Sequence, residues 1–217
     1  MQIVKSSKMM NGTLAGVICF AIIISACAGG LCADENKTSV VALEKFESIE
    51  GKFSVSVPFG WERTDAFPYK IDDTVSGIML LGPVNKDGAA VKIAVLHYAG
   101  QGIKGADRYI NMVLSNPTRT DAEKETEFSD VEVAGRKGKA FKFTKFELIN
   151  LPFEPPPMKD GVIYEIAPPS KQVTMIDRYI VIPAAPSFYS IRCEAPEDMY
   201  EEYAGVFDAV VKSFGYQ

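Results

Sequence analysis

In Phe53-Ser54-Val55-Ser56-Val57 apolar and polar side chains alternate, and the run stops at Pro58-Phe59-Gly60-Trp61. Successive side chains of a strand point to opposite faces, so a period of two describes a strand with one buried face, closed here by a turn. The same reading places strands at residues 77–81 and 91–99, divided by Gly82-Pro83 and a polar turn at Asn85-Lys86-Asp87-Gly88. Strands joined by turns this short predict an antiparallel meander.

From Ala106 the period changes. Ala106, Ile110, Val113 and Leu114 share one helical stripe, Asp107 puts negative charge in the first turn, and Asn116-Pro117 ends the run. Residues 131–135 lead through a charged turn into a strand at 139–146, where Phe141 and Phe143 share a face opposite Lys142 and Thr144. Phe146 and Leu148 continue the apolar set on the other parity, and a β-bulge near Lys145 is expected to absorb the slip. Proline lacks the ladder donor, so the Pro-rich stretch from Leu151 to Pro157 interrupts the sheet and opens an insertion over about 151–169, with a further strand at 162–166. Residues 172–182 and 188–194 form a last hairpin. The chain then turns helical, with Met199, Tyr203, Phe207, Val210, Val211 and Phe214 at helical spacing, Glu197 and Asp198 at the start and Gly215 just past the end.

The region before residue 49 reads differently. Lys5 and Lys8 make a positive n-region, and no charge follows between Met9 and Ala33. The dense apolar part, Leu14 to Ala28, is shorter than the ~20 residues that span a bilayer and is followed by Gly29-Gly30, which describes a secretion signal, not an anchor helix. Ile24-Ser25-Ala26-Cys27 closes the run and resembles the bacterial lipobox. That resemblance implies a signal peptide over residues 1–26 and a lipid attached at Cys27. The alternative is ordinary cleavage after Ala28 or Ala33, releasing a soluble periplasmic or secreted protein. Ala28, not an aspartate, follows the cysteine, which by resemblance to sorted lipoproteins implies the periplasmic face of an outer membrane. Residues 27–48 then read as a polar tether, and 49–217 as a single domain.

Composition narrows the function classes. Lys and Arg number 23 against 28 Asp and Glu, and 47% of residues are apolar, as in an ordinary globular domain. An acidic balance lacks the clustered cations that track phosphates, so nucleic acid is not an expected partner. Of the four cysteines only Cys193 lies in the body of the chain, so there is no disulfide framework there. Cys32 could pair with it in an oxidising compartment, but Cys32 lies in the leader with nothing to hold the two together, and Cys193 is expected to be a free, largely buried thiol.

The order strands, helix, long strands, helix, with Phe53-Ser54-Val55-Ser56-Val57-Pro58 and Gly60-Trp61 near one end and Tyr189-Ser190-Ile191-Arg192-Cys193-Glu194-Ala195-Pro196-Glu197 and Val210-Val211-Lys212-Ser213-Phe214 near the other, resembles the PsbP-like superfamily from Phe53 to Phe214. The resemblance implies an α/β/α sandwich around a central, mainly antiparallel sheet, in agreement with the mixed α/β (α+β) reading of the residues. It also implies binding and assembly work, not catalysis. No metal ligand or partner contact of the family maps onto this chain position by position.

His97 is the only histidine, so any Ser-His-Asp, Cys-His or histidine-rich metal site must use it. It follows Val91, Ile93 and Val95 at period two, which places it on an apolar strand face or at its rim. A pair with Cys193 requires neighbouring strands and an exposed thiol of lowered pKa. Asp72 and Asp73, and Asp121, Glu123, Glu125 and Glu127, lack the spacing and glycine of a calcium loop. Gly100-Gln101-Gly102-Ile103-Lys104-Gly105 has the spacing of a dinucleotide loop without its parallel βαβ context. No cofactor and no metal are expected.

Pro155, Pro156 and Pro157 offer a stiff polyproline surface for a partner, or serve as a rigid spacer. Trp61 is a second candidate contact if its ring is exposed, and a packing residue at the sheet edge if it is not. The sequence therefore describes a monomeric, non-catalytic envelope lipoprotein that binds or helps assemble another envelope component. A small-ligand-binding exported protein and a hydrolase using His97 are the alternatives.

Overall fold

In the computed structural model the described residues are 41–64, 75–99, 103, 105–120, 128–154 and 167–217. By its internal contacts the chain divides after Asn36, and all of them lie in the unit Lys37–Gln217. In chain order the elements are β1 (Leu43–Ser48), β2 (Phe53–Pro58), β3 (Glu62–Thr64), β4 (Val75–Val84), β5 (Ala90–Tyr98), α1 (Ala106–Leu114), β6 (Phe128–Val133), β7 (Arg136–Asn150), β8 (Ser170–Ala184), β9 (Ser187–Pro196), α2 (Tyr200–Ser213) and β10 (Gly215–Tyr216).

Seven strands make one antiparallel sheet in the order β3-β4-β5-β9-β8-β7-β6, and β1-β2-β10 make a small second sheet. Both faces of the large sheet are covered, so its middle strands are apolar on both parities. Val91, Ile93 and Val95 of β5 and Ile191 and Cys193 of β9 point into a core shared with Phe53, Val55 and Val57 of β2 and Tyr203, Phe207 and Val210 of α2. Ala94, Leu96 and Tyr98 of the same β5 point the other way, into a second core with Phe141, Phe143, Tyr179, Phe188 and, from α1, Tyr109 and Ile110. Each large side chain buried this fully contributes about 1.5–3 kcal/mol of transfer free energy. The architecture is thus mixed α+β, a helix on each face of a central antiparallel sheet, as expected from the sequence.

Three expectations need correction. The ladder between β7 and β8 runs without a shift from Lys139 opposite Val181 to Asn150 opposite Ser170, so no bulge sits at Lys145. Lys145 keeps the parity of Phe141 and Phe143 and is buried as a charge, while Leu148, on the other parity, is exposed. The irregularity lies instead between Leu81 and Val84, where Gly82-Pro83 falls inside β4. Residues 43–48, read as the end of a tether, form β1, which pairs with all of β2 and packs the Phe46 ring 6.1 Å from that of Phe53.

Two glycines are fixed by close approach. Gly77 has φ +143°, and a Cβ there would lie 2.1 Å from the Val95 carbonyl oxygen. A Cβ on Gly82 would lie 2.6 Å from the Trp61 ring, so that ring lies flat over the β4 backbone.

Candidate functional site

The reactive side chains singled out in the sequence do not meet. His97 stands opposite Tyr189 in the β5–β9 ladder and Cys193 opposite Ile93, so they share a face of neighbouring strands four residues apart. At ~3.3 Å per residue that is about 13 Å, too far for proton transfer between them. His97 is half-buried at the rim, its ring 4.8 Å from that of Tyr189. Burial, helped by the charge of Lys52, lowers its pKa below the ordinary histidine value, so it is neutral near pH 7.

Cys193 is 1% exposed, and burial pushes its thiol up to about 12. A thiol so placed is packing, not a nucleophile. Accordingly, peptide mapping after treatment of the folded protein with iodoacetamide at pH 8 should find Cys193 unmodified until denaturant is added. Rapid modification in the native state would contradict its burial.

The densest polar constellation lies on the α1 face and was not singled out in the sequence. Glu194 of β9 accepts hydrogen bonds from Lys92 Nζ of β5 and Lys145 Nζ of β7, each at 2.7 Å, and contacts Arg192. Arg192 Nη2 also donates to both oxygens of Asp177 on β8, at 3.1 and 2.9 Å, and its guanidinium lies 5.3 Å from the Tyr179 ring centroid. Lys145 reaches Asp177 at 3.5 Å, and Lys92 reaches Glu147 at 3.1 Å. Three cations thus face three carboxylates across β5, β9, β8 and β7.

The two most buried acids are driven in opposite directions. Burial works against the charged form of Glu194, but Arg192, Lys145 and Lys92 outweigh it and hold the carboxyl below the usual range. Asp177 is more deeply enclosed and has Arg192 as its main counter-charge, so burial prevails and its pKa rises. Arg192 itself loses by burial and gains more from Glu194 and Asp177, so its pKa is raised. The set is balanced in charge and its two central acids are sealed, while Lys92 and Arg192 keep 28% and 32% of their side chains exposed. What it does is lock four central strands in register. The local sequence hid it, because Lys145, Asp177 and Glu194 meet only after the long hairpins close.

Trp61 is half-buried, its ring 5.9 Å from that of Tyr203 on α2, closing the gap between that helix and the edge of the sheet. Cys27, Pro155, Pro156, Pro157, the acidic residues Asp72, Asp73, Asp121, Glu123, Glu125 and Glu127, the strand expected at 162–166, and most of the glycine loop at 100–105 lie outside the described residues. Among the described residues no three His, Cys, Asp or Glu are grouped to hold a metal ion, and no helix is long and apolar enough to cross a membrane. An open hollow of about 530 Å³ lies at the β6–β7 hairpin, lined by Val131, Gly138 and Pro183 with Asp130, Glu132, Lys137 and Lys139.

No protein-family model matches the chain, and no curated protein does. Solved structures do. The solution structure of cyanobacterial PsbP (CyanoP) from Synechocystis sp. PCC 6803 is 13% identical, with a TM-score of 0.46, over 87% of this chain and 98% of that one. The Saccharomyces cerevisiae Ran-binding protein Mog1p is 14% identical, with a TM-score of 0.42, over 81% of this chain and 96% of its own. LpqN of Mycobacterium tuberculosis, described as involved in cell envelope biogenesis, is 12% identical, with a TM-score of 0.42, over 79% and 90%. The first bears the name of the family that the sequence pattern resembles. No residue role and no activity passes to this chain with these likenesses.

Proposed function

We propose that this chain is a non-catalytic exported lipoprotein, anchored through Cys27, whose domain binds or helps assemble another component of the cell envelope. The leader, with Lys5 and Lys8 before an uncharged apolar run that ends at Ile24-Ser25-Ala26-Cys27, supports export and anchoring. The observation that weighs against the hydrolase alternative is the use made of the reactive side chains. Cys193 is core and His97 stands at the rim against Tyr189, four ladder positions away, so neither prepares the other for chemistry. The partner contact we assign is the segment of Pro155, Pro156 and Pro157; Trp61, packed between Tyr203 of α2 and Gly82 of β4, is a packing residue at the sheet edge and not part of that contact.

Mild crosslinking in cells that produce the full chain, followed by affinity capture through a C-terminal tag, tests this reading. It predicts one defined heterologous adduct, weakened when Pro155, Pro156 and Pro157 are all replaced by alanine. Recovery of the uncrosslinked monomer alone would contradict it.

A further inference from the structure

Among the described residues nine large apolar side chains are substantially exposed, and six of them gather at one end of the large sheet: Leu43, Phe59, Val84, Leu148, Leu151 and Phe153. The pairing places them there. β4 and β5 turn back just past Val84, and β9 stops at Pro196 opposite Met175, whereas β7 and β8 run on together to Asn150 and Ser170 as a two-stranded arm. Leu151 continues the arm through its N–H to the Pro169 carbonyl. On the α2 side, Trp61 touches Gly82 of β4 and so fixes the neighbouring Phe59 at the same end. The opposite end carries Lys52, His97 and Arg136 around Tyr189 and Tyr216.

The chain from the leader arrives at this same apolar end. β1 begins at Leu43, and the Ala42 carbonyl accepts from the Phe59 N–H at 2.8 Å, so the incoming strand and Phe59 are side by side. Between Cys27 and Leu43 the sequence has room for 15 residues. Such a stretch reaches at most about 50 Å when extended and, as a flexible coil, about 20 Å on average. A bilayer holding Cys27 would therefore face the Leu43 end at high effective concentration, and a contact too weak to hold a free protein would persist.

We propose that the Leu43 end of the domain rests on the lipid bilayer, with Leu43, Phe59, Leu148 and Phe153 as its apolar contacts. This orientation rests on the anchor at Cys27 assigned above. Cations at this end are partly matched by carboxylates, Arg63 by Glu44 and Lys171 by Asp87 at 2.5 Å, and Glu62 and Glu154 add negative charge. The surface thus suits zwitterionic headgroups, not anionic ones, and its contact is apolar. An aromatic pair such as Phe59 and Trp61 is well suited to the boundary between headgroups and acyl chains.

Trp61 is the single tryptophan of the chain, so its emission reports on this end alone. The full-length protein is extracted from cell membranes, reconstituted in phosphatidylcholine and phosphatidylethanolamine vesicles, and compared in vesicles whose acyl chains carry bromine near the headgroup. The orientation predicts loss of Trp61 emission in the brominated vesicles, insensitive to salt, and recovery of that emission in a Phe59→Ser, Phe153→Ser variant that still floats with the vesicles. Wild-type protein that floats with undiminished emission overturns the orientation and leaves the anchor standing. Protein that does not float overturns the anchor and the orientation with it.

Discussion

Glu194→Ala is expected to lower the unfolding free energy by about 3–5 kcal/mol at neutral pH, as removal of one partner from a buried ion pair does. The side chain is 5% exposed and holds Lys92, Lys145 and Arg192 together. Without it Lys145, itself nearly buried, keeps only Asp177 at 3.5 Å, and a cation is left in a low-dielectric interior short of its main counter-charge. The companion change is as informative. Lys145→Met combined with Glu194→Gln removes a cation and an acid together and should cost less than the sum of the two single changes, because the singles strand a charge and the double does not.

The pH dependence follows from the direction of the shift. The folded carboxyl of Glu194 is held below its unfolded value near ~4.3, so its contribution is fully present above that value and is lost as the pH falls through the folded pKa. Asp177 shifts the other way, and its share declines as the pH rises. The clean reading is therefore the difference between wild type and Glu194→Gln in denaturant unfolding, which should shrink from pH 7 to pH 3. A difference that is constant with pH would show that Glu194 acts through packing, not charge.

How much of this was legible beforehand depends on how local the signal is. β2 and α2 announce themselves because their buried residues recur at the period of the element itself, α1 through the stripe of Ala106, Ile110, Val113 and Leu114, and β5 through Val91, Ile93 and Val95 although Ala94 and Leu96 on its other face are buried too. β1 does not: of its residues 44, 46 and 48, which turn toward the fold, only Phe46 is apolar, and Glu44, Lys45 and Glu47 read as solvent-facing linker. Such charge is how an edge strand avoids pairing with a stranger. β3 and β10 are three and two residues long, too short for any period.

Lys145 hides its role for a related reason. A charged residue on the parity of Phe141 and Phe143 looks like a slip in register, and only the arrival of Asp177 and Glu194 from strands 32 and 49 residues on makes it a core position. The position of His97 at a strand rim could be read directly, because three apolar residues precede it at period two on its own strand. Its distance from Cys193 could not, since that is set by the register between β5 and β9.

The second large effect concerns the leader. Cys27→Ala is expected to move the protein from the membrane fraction to the soluble fraction of the cell. A diacylglyceryl group places two acyl chains on one residue, and two chains anchor stably where one holds only marginally. The dense apolar part of the leader is too short to replace them by spanning the bilayer. Beyond Leu43 no helix among the described residues is long and apolar enough to cross a membrane.

Fractionation reports where the protein goes, and mass reports why. Intact-mass analysis of the full-length protein and of Cys27→Ala, each expressed with its native leader, is the most direct test of a tethered binding domain. The account predicts a wild-type species that begins at Cys27 and carries the added mass of a diacylglyceryl group, and no lipid-bearing species from the variant. An unmodified chain in both, cleaved after Ala28 or Ala33 and recovered in the soluble fraction, would contradict it.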